Sequence, residues 1–195
     1  MPLPVGHALA GIGLQRAWPG LFFRKGWHDA LFCALLATLP DADFLPGLLR
    51  GRPNLYHHGA FHSLGAALAV ALLAAGMFRL MRRRAVPEGR RPWPLAAAAF
   101  LVLSSHLLLD YFTIDHVPPF GLPLLWPVSG RYFIASRPVF LDVTRSADSG
   151  DFFISILSRH NLAAALREAV LVGGAAFCLA LWRAWRDRRR HAPPG

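Results

Sequence analysis

Apolar residues in this chain gather into four mostly hydrophobic stretches, 27–46, 60–81, 94–114 and 163–183. Each holds about 20 residues, which at about 1.5 Å of rise per residue matches a hydrocarbon layer roughly 30 Å thick. The pattern therefore predicts four spanning helices. A weaker stretch from Pro4 to about Leu14 is too short to cross unaided and is expected as a short, half-buried or tilted N-terminal helix. The connection 115–162 is rich in Pro, Gly, Ser and charge, and Pro118, Pro119, Pro123, Pro127 and Pro138 exclude a regular helix through much of it. The expected fold class is all-α, a polytopic membrane helical bundle of four strong helices plus the short first one. Residues 1–185 form a single integral membrane domain with 115–162 as its cap, and 186–195 form a basic tail, expected to be disordered. No internal repeat is visible.

Composition agrees with the bilayer as solvent: 54% of the 195 residues are hydrophobic. The net charge of +10 does not point to nucleic acid, because the basic residues are scattered between apolar blocks and do not form one recognition face. They act as topology signals instead. Arg16, Arg24 and Lys25 precede the first stretch; Arg79, Arg82, Arg83, Arg84, Arg90 and Arg91 link the second to the third; Arg183, Arg186, Arg188, Arg189 and Arg190 follow the fourth. Most of the 21 basic residues thus fall on one side, which the positive-inside rule makes cytoplasmic. Cys33 and Cys178 sit inside apolar stretches and form no metal or redox spacing. No cleavable signal peptide is expected, since no basic region precedes the first apolar run and His7 interrupts it.

Orientation decides which polar residues can meet. Stretch one ends on the non-cytoplasmic side at Asp41 and Asp43, stretch two begins there at His57, His58 and His62, and stretch three ends there at His106 and Asp110. His7 joins them if the first helix starts at that face. Ionisable residues in or near hydrocarbon are costly, so they pair, line a cavity or serve function. His106 and Asp110 are spaced i, i+4 and share one helix face, as do His58 and His62. Imidazole and carboxylate suit Zn²⁺ and related divalent ions. His28, His116, His160 and His191 have no comparable partners, and Asp29 is read as an interfacial, solvated residue. Two other uses of the same residues stand beside a metal site. One is a non-enzymatic metal or proton transporter, which needs polar residues through the bilayer, where only Thr38, Ser104 and Ser105 are available. The other is haem held between His62 and His106.

Ordered motifs carry a resemblance. His7 followed by Gly11, Leu39-Pro40-Asp41-Ala42-Asp43, His57-His58-Gly59-Ala60-Phe61-His62-Ser63, the His106/Asp110 pair, and Gly121-Leu122-Pro123-Leu124-Leu125-Trp126-Pro127 cover about two thirds of the chain. In this order they resemble the YdjM-like, LexA-regulated family of membrane-bound metal-dependent hydrolases, and more distantly the zinc-dependent phospholipase C enzymes. The pattern departs at His58, where the family commonly has Arg. The resemblance implies a divalent metal cofactor, expected as one to three Zn²⁺ ions, held by His7, Asp41, Asp43, His57, His62, His106 and Asp110, with His58 as a further donor. Asp41 or Asp43 is the expected proton acceptor, and Arg131 and Arg137 are expected substrate contacts. The expected substrate is a lipid-like or other small phosphoester or ester, the surrounding partners are membrane lipids, and the expected location is the bacterial inner membrane with the metals near its non-cytoplasmic face.

Overall fold

The computed structural model describes residues 2–81, 92–116 and 118–190. Among them the chain forms helices α1 (Pro4–Ala17), α2 (Gly26–Thr38), α3 (Phe44–Leu49), α4 (Leu64–Leu80), α5 (Pro92–Tyr111), α6 (Phe152–Ile156) and α7 (Arg159–Arg190), with short 3₁₀ turns at Leu39–Asp43, Pro53–Leu55 and Ala60–His62. Three helical runs are long and apolar enough to cross a membrane, Gly26–Leu49, Trp93–Tyr111 and Arg159–Arg189. The fourth expected span is shorter than that. Stretch 60–81 spends its first residues on the turn that carries His62, and Ser63 then caps the helix by accepting the Ala66 N–H at 3.1 Å. The 17 residues of α4 that remain reach only about 25 Å at 1.5 Å per residue.

The weakest stretch of the sequence becomes the centre of the bundle. Helix α1 packs against α7, α2 and α5, while α4 packs on α5. Its small residues permit this closeness: a Cβ on Gly11 would lie 2.3 Å from the Cys33 carbonyl oxygen of α2. Likewise α4 turns Ala67, Ala71 and Ala75, at a four-residue repeat, toward Ala96, Ala99 and Leu103 of α5. Large apolar side chains such as Leu35, Leu73, Leu101, Val170 and Phe177 are exposed on the outside, as lipid-facing positions require. Among the described residues the proline-rich connection carries no regular helix before α6, as expected. Asn161 at the start of α7 holds it, accepting from the Thr144 N–H at 2.8 Å and donating to the Thr144 carbonyl at 2.6 Å.

Two expectations need correcting. The segment from Arg186, expected to be disordered, is helical through Arg190; Arg186 stacks over Trp182 and Arg189 over Trp185, and Arg183 pairs with Asp187 at i, i+4. Residues 191–195, with His191, and the arginines at 82–84, 90 and 91 lie outside the described residues. Asp29 is not solvated but wholly buried. Its carboxylate accepts the backbone N–H groups of Leu21, Phe22 and Phe23 at 2.9, 2.7 and 3.0 Å and the Gln15 amide at 3.3 Å, closing the α1–α2 loop.

Asp29→Ala leaves those donors without their acceptor. At about 1–3 kcal/mol for each unsatisfied buried group, we expect a loss of roughly 3 kcal/mol or more, read as a lower unfolding midpoint in detergent. A loss under about 0.5 kcal/mol, the level of an ordinary surface substitution, would show that water takes over the carboxylate's role.

Candidate metal centre

Four chain segments bring their polar residues to one end of the bundle. Helix α1 contributes His7 from its first turn, where Pro4 starts the helix without needing an N–H partner. Glu168 of α7 accepts the Leu3 and Gly6 N–H groups at 2.9 and 3.1 Å, fixing that turn. Pro40 ends the α-helical hydrogen bonding of α2 and tightens the chain into the 3₁₀ turn that carries Asp41 and Asp43. The turn before α4 contributes His57, His58 and His62, with His58 held in the left-handed region at φ 59°. Helix α5 contributes His106 and Asp110 from its last turns.

His7, His62, His106, Asp43 and Asp110 are buried. His106 Nε2 lies 3.2 Å from His62 Nε2, 3.1 Å from Asp110 Oδ2 and 3.6 Å from Asp41 Oδ1. His62 Nε2 is 3.7 Å from Asp41 and 3.5 Å from Asp110, and His7 Nε2 is 3.5 Å from the other Asp110 oxygen. Asp43 bridges His57 Nδ1 and His62 Nδ1, both at 3.0 Å. The far nitrogen of His106, Nδ1, donates to the Ala37 carbonyl at 2.7 Å, so Nε2 points its lone pair into the cluster. His7 stacks on the same ring at 3.7 Å.

The donor set fits a divalent cation. Three groups could each hold one: His7, His106 and Asp110; Asp41, His62 and His106; His57, His58 and His62. The ligand atoms within each lie within 4.8 Å of one another. Both oxygens of Asp41 and of Asp110, and both nitrogens of His7, are buried without a hydrogen-bond partner, a costly state that a shared cation relieves. Burial first, and then the charges of His58 and His62, holds the His57 imidazole well below its usual range; burial also lowers His58, against the pull of Asp115. Both rings are thereby kept in the neutral form that binds metals. Haem is excluded by the geometry, because two nitrogens 3.2 Å apart with carboxylates around them leave no room for a macrocycle.

Two cavities adjoin the cluster. One, of about 570 Å³, is apolar and open, walled by residues such as Leu35, Leu45, Leu48, Phe153 and Ile156, with Asp41 and Arg145 on its lining. The other, of about 380 Å³, is lined by His57, His58, Asp115, Asp142 and again Arg145. Of the residues singled out in the sequence, His7, Asp41, Asp43, His57, His58, His62, His106 and Asp110 come together. Arg131 and Arg137 are exposed on the long connection and line neither cavity. Arg145, Asp115 and Glu168 were missed. The first two lie in an irregular connection without periodicity, and Glu168 follows Arg167 directly, so along the chain it reads as half of an adjacent charge pair near the start of an apolar stretch. His116 and His160, read as unpartnered, both reach Asp142, at 3.8 and 3.1 Å.

The family model of the YdjM inner membrane protein matches residues 1–189. No curated protein and no solved structure matches the chain, so the more distant likeness to phospholipase C is not shown.

Replacing His106 and Asp110 together by Ala removes donors from two of the three groups. We expect elemental analysis to find metal in the purified parent chain and in Arg131→Ala, and to find it lost from the double variant. Full occupancy in the double variant would remove the pair from the ligand set.

Proposed function

Because the chain belongs to the YdjM inner membrane protein family, we propose that it is a membrane-embedded, metal-dependent hydrolase acting on a phosphoester or ester of a lipid-like substrate. The observation that carries this reading is that Asp41 belongs both to the His/Asp cluster and to the wall of the apolar chamber, so a hydrophobic ligand can bring a polar bond to the ligand atoms.

His7, His62, His106, Asp41 and Asp110 would hold the ion, for which Zn²⁺ is the first choice from the ligand types. A bound divalent ion supplies Lewis acidity, acidifying water and polarising the ester oxygen. The chain's own groups do the rest. Asp43, fixed between His57 and His62, orients both rings. Asp41, facing the chamber, accepts a proton from the attacking water; the water oxygen bonds to phosphorus or acyl carbon, the ester bond breaks, and the proton passes to the departing alkoxide. The apolar walls keep bulk water from the tail. The positive-inside reading of the arginine-rich connections supports a position for this end of the bundle near the non-cytoplasmic interface.

A transport role has less support. Of the three hydroxyls such a relay has available, Thr38 and Ser105 donate to the Ala34 and Val102 carbonyls of their own helices, and Ser104 is buried with no hydrogen-bond partner to link it to the cluster.

The test is turnover of a long-chain alkyl p-nitrophenyl phosphate by the purified chain after chelation and after return of Zn²⁺. We expect activity only with metal, and a fall of about 10²–10⁴ in kcat for Asp41→Asn. Turnover indifferent to both chelation and Asp41→Asn would overturn the proposal.

A further inference from the structure

Arg145 is the one cation lining both cavities beside the cluster among the described residues. Its direct contacts are uncharged, and the carboxylates of Asp41, Asp43, Asp110 and Asp115 act on it only through space. Its Nε donates to Asn54 Oδ1 at 2.8 Å, and its guanidinium carbon lies 5.2 Å over the Phe44 ring. Asn54 is in turn tied to the same connection, its amide reaching the Ser146 carbonyl at 3.5 Å. Among the described residues no carboxylate comes within ion-pair distance of Arg145, and its terminal nitrogens make no hydrogen bond. A half-buried guanidinium held by its inner nitrogen and ring face, with its outer fork open, is arranged to receive an oxyanion.

The chamber beside it narrows the identity of that anion. Its walls are apolar, and Thr38 on its lining is already bonded to its own helix, which leaves Asp41 and Arg145 as the groups able to act on a ligand. A volume of about 570 Å³ is within the range of lipid-sized and drug-sized sites. A neutral ester offers the open guanidinium a single carbonyl acceptor and no charge to pair with, and a fatty carboxylate offers no bond to hydrolyse. A phosphoester on an alkyl chain offers both charge and a scissile bond. We propose that Arg145 anchors the phosphate of an alkyl phosphoester whose chain lies in the apolar chamber, making phosphate-bearing amphiphiles, rather than neutral esters, the substrate class. The polar cavity on the other side of Arg145 then admits water and releases the polar product. The inference rests on the hydrolase reading only in calling this ligand a substrate; the binding site stands on its own geometry.

The experiment is competition against a fluorescent alkyl phosphate on the full chain, purified with its metal in a neutral detergent. Tetradecyl phosphate should compete at least tenfold better than tetradecanol, and inorganic phosphate should compete poorly, because it lacks the chain. Arg145→Gln should weaken tetradecyl phosphate about tenfold while leaving tetradecanol and metal content unchanged; Arg145→Lys, which keeps the charge but not the fork or its Asn54 contact, should fall between the parent and Arg145→Gln. Leu45→Trp, which fills the chamber, should weaken both alkyl ligands. An unchanged phosphate preference in Arg145→Gln, equal loss of tetradecanol, or inorganic phosphate competing as well as the alkyl phosphate would overturn the assignment. Tight binding of the alkyl phosphoester without cleavage would sink the hydrolase reading and leave this one standing, whereas equal cleavage of neutral esters by parent and Arg145→Gln would do the reverse.

Discussion

Three carboxylates, Asp41, Asp43 and Asp110, sit among the imidazoles of His7, His57, His62 and His106 where almost no water reaches, and the free energy of keeping charge there governs the rest of the design. Unpaired, each ionised carboxylate would cost several kcal/mol. The chain answers by packing imidazoles around them, and the buried oxygens and nitrogens left without hydrogen bonds are donor atoms of the kinds that can bind a divalent cation. Several of these atoms stay unmatched by any hydrogen bond, which is the state expected of donor groups able to hold a metal ion.

Holding that cluster together dictates what the helices must do. A ligand site needs its side chains locked by a surrounding shell, and His57, His62 and His106 have one, while the backbone turn that carries His7 is clamped. The Ala37 carbonyl orients His106, and Asp43 orients His57 and His62. Glu168 clamps the turn that presents His7, and the fit is close, since a Cβ on Gly6 would meet its carboxylate at 2.7 Å. The close approach of α1 to α2 at Gly11 brings the first helix deep enough for His7 to stack on His106. At the other end of the same helix Asp29 and Gln15 close the loop, so α1 is pinned at both ends.

The site also depends on where regular structure stops. Asp41 and Asp43 lie on a 3₁₀ turn and the three histidines on a turn before α4, both at places where helical hydrogen bonding is interrupted. Irregular backbone at the end of a membrane bundle is tolerated only where protein or cavity satisfies it. Here it lines the two cavities, and the long connection, tied down by Asn161, covers them and delivers Arg145. Membership of the YdjM inner membrane protein family accords with the exposed apolar flanks of the helices.

Much of this was legible in the chain alone. Helix positions followed from apolar run length, because hydrocarbon thickness sets a length that sequence must match. The set of converging residues followed from which ends of those runs carried His and Asp, since side chains at i, i+4 and at helix ends have few places to go. Local pattern could not say that 60–81 would yield a helix of 17 residues, that the short first helix would be central, or that Asp29 would be buried. Nor could it pick Arg145 over Arg131 and Arg137. Those outcomes depend on which backbone groups and cavities distant segments bring to a residue, and contacts such as Gly11 on Cys33, Leu3 on Glu168 and Arg145 on Asn54 join residues that no periodicity connects. The sequence by itself determined three membrane-length helices and the His and Asp groups that could serve as ligands; only the tertiary structure decided which buried charges found partners, because burial cost is set by neighbours in space and not by neighbours along the chain.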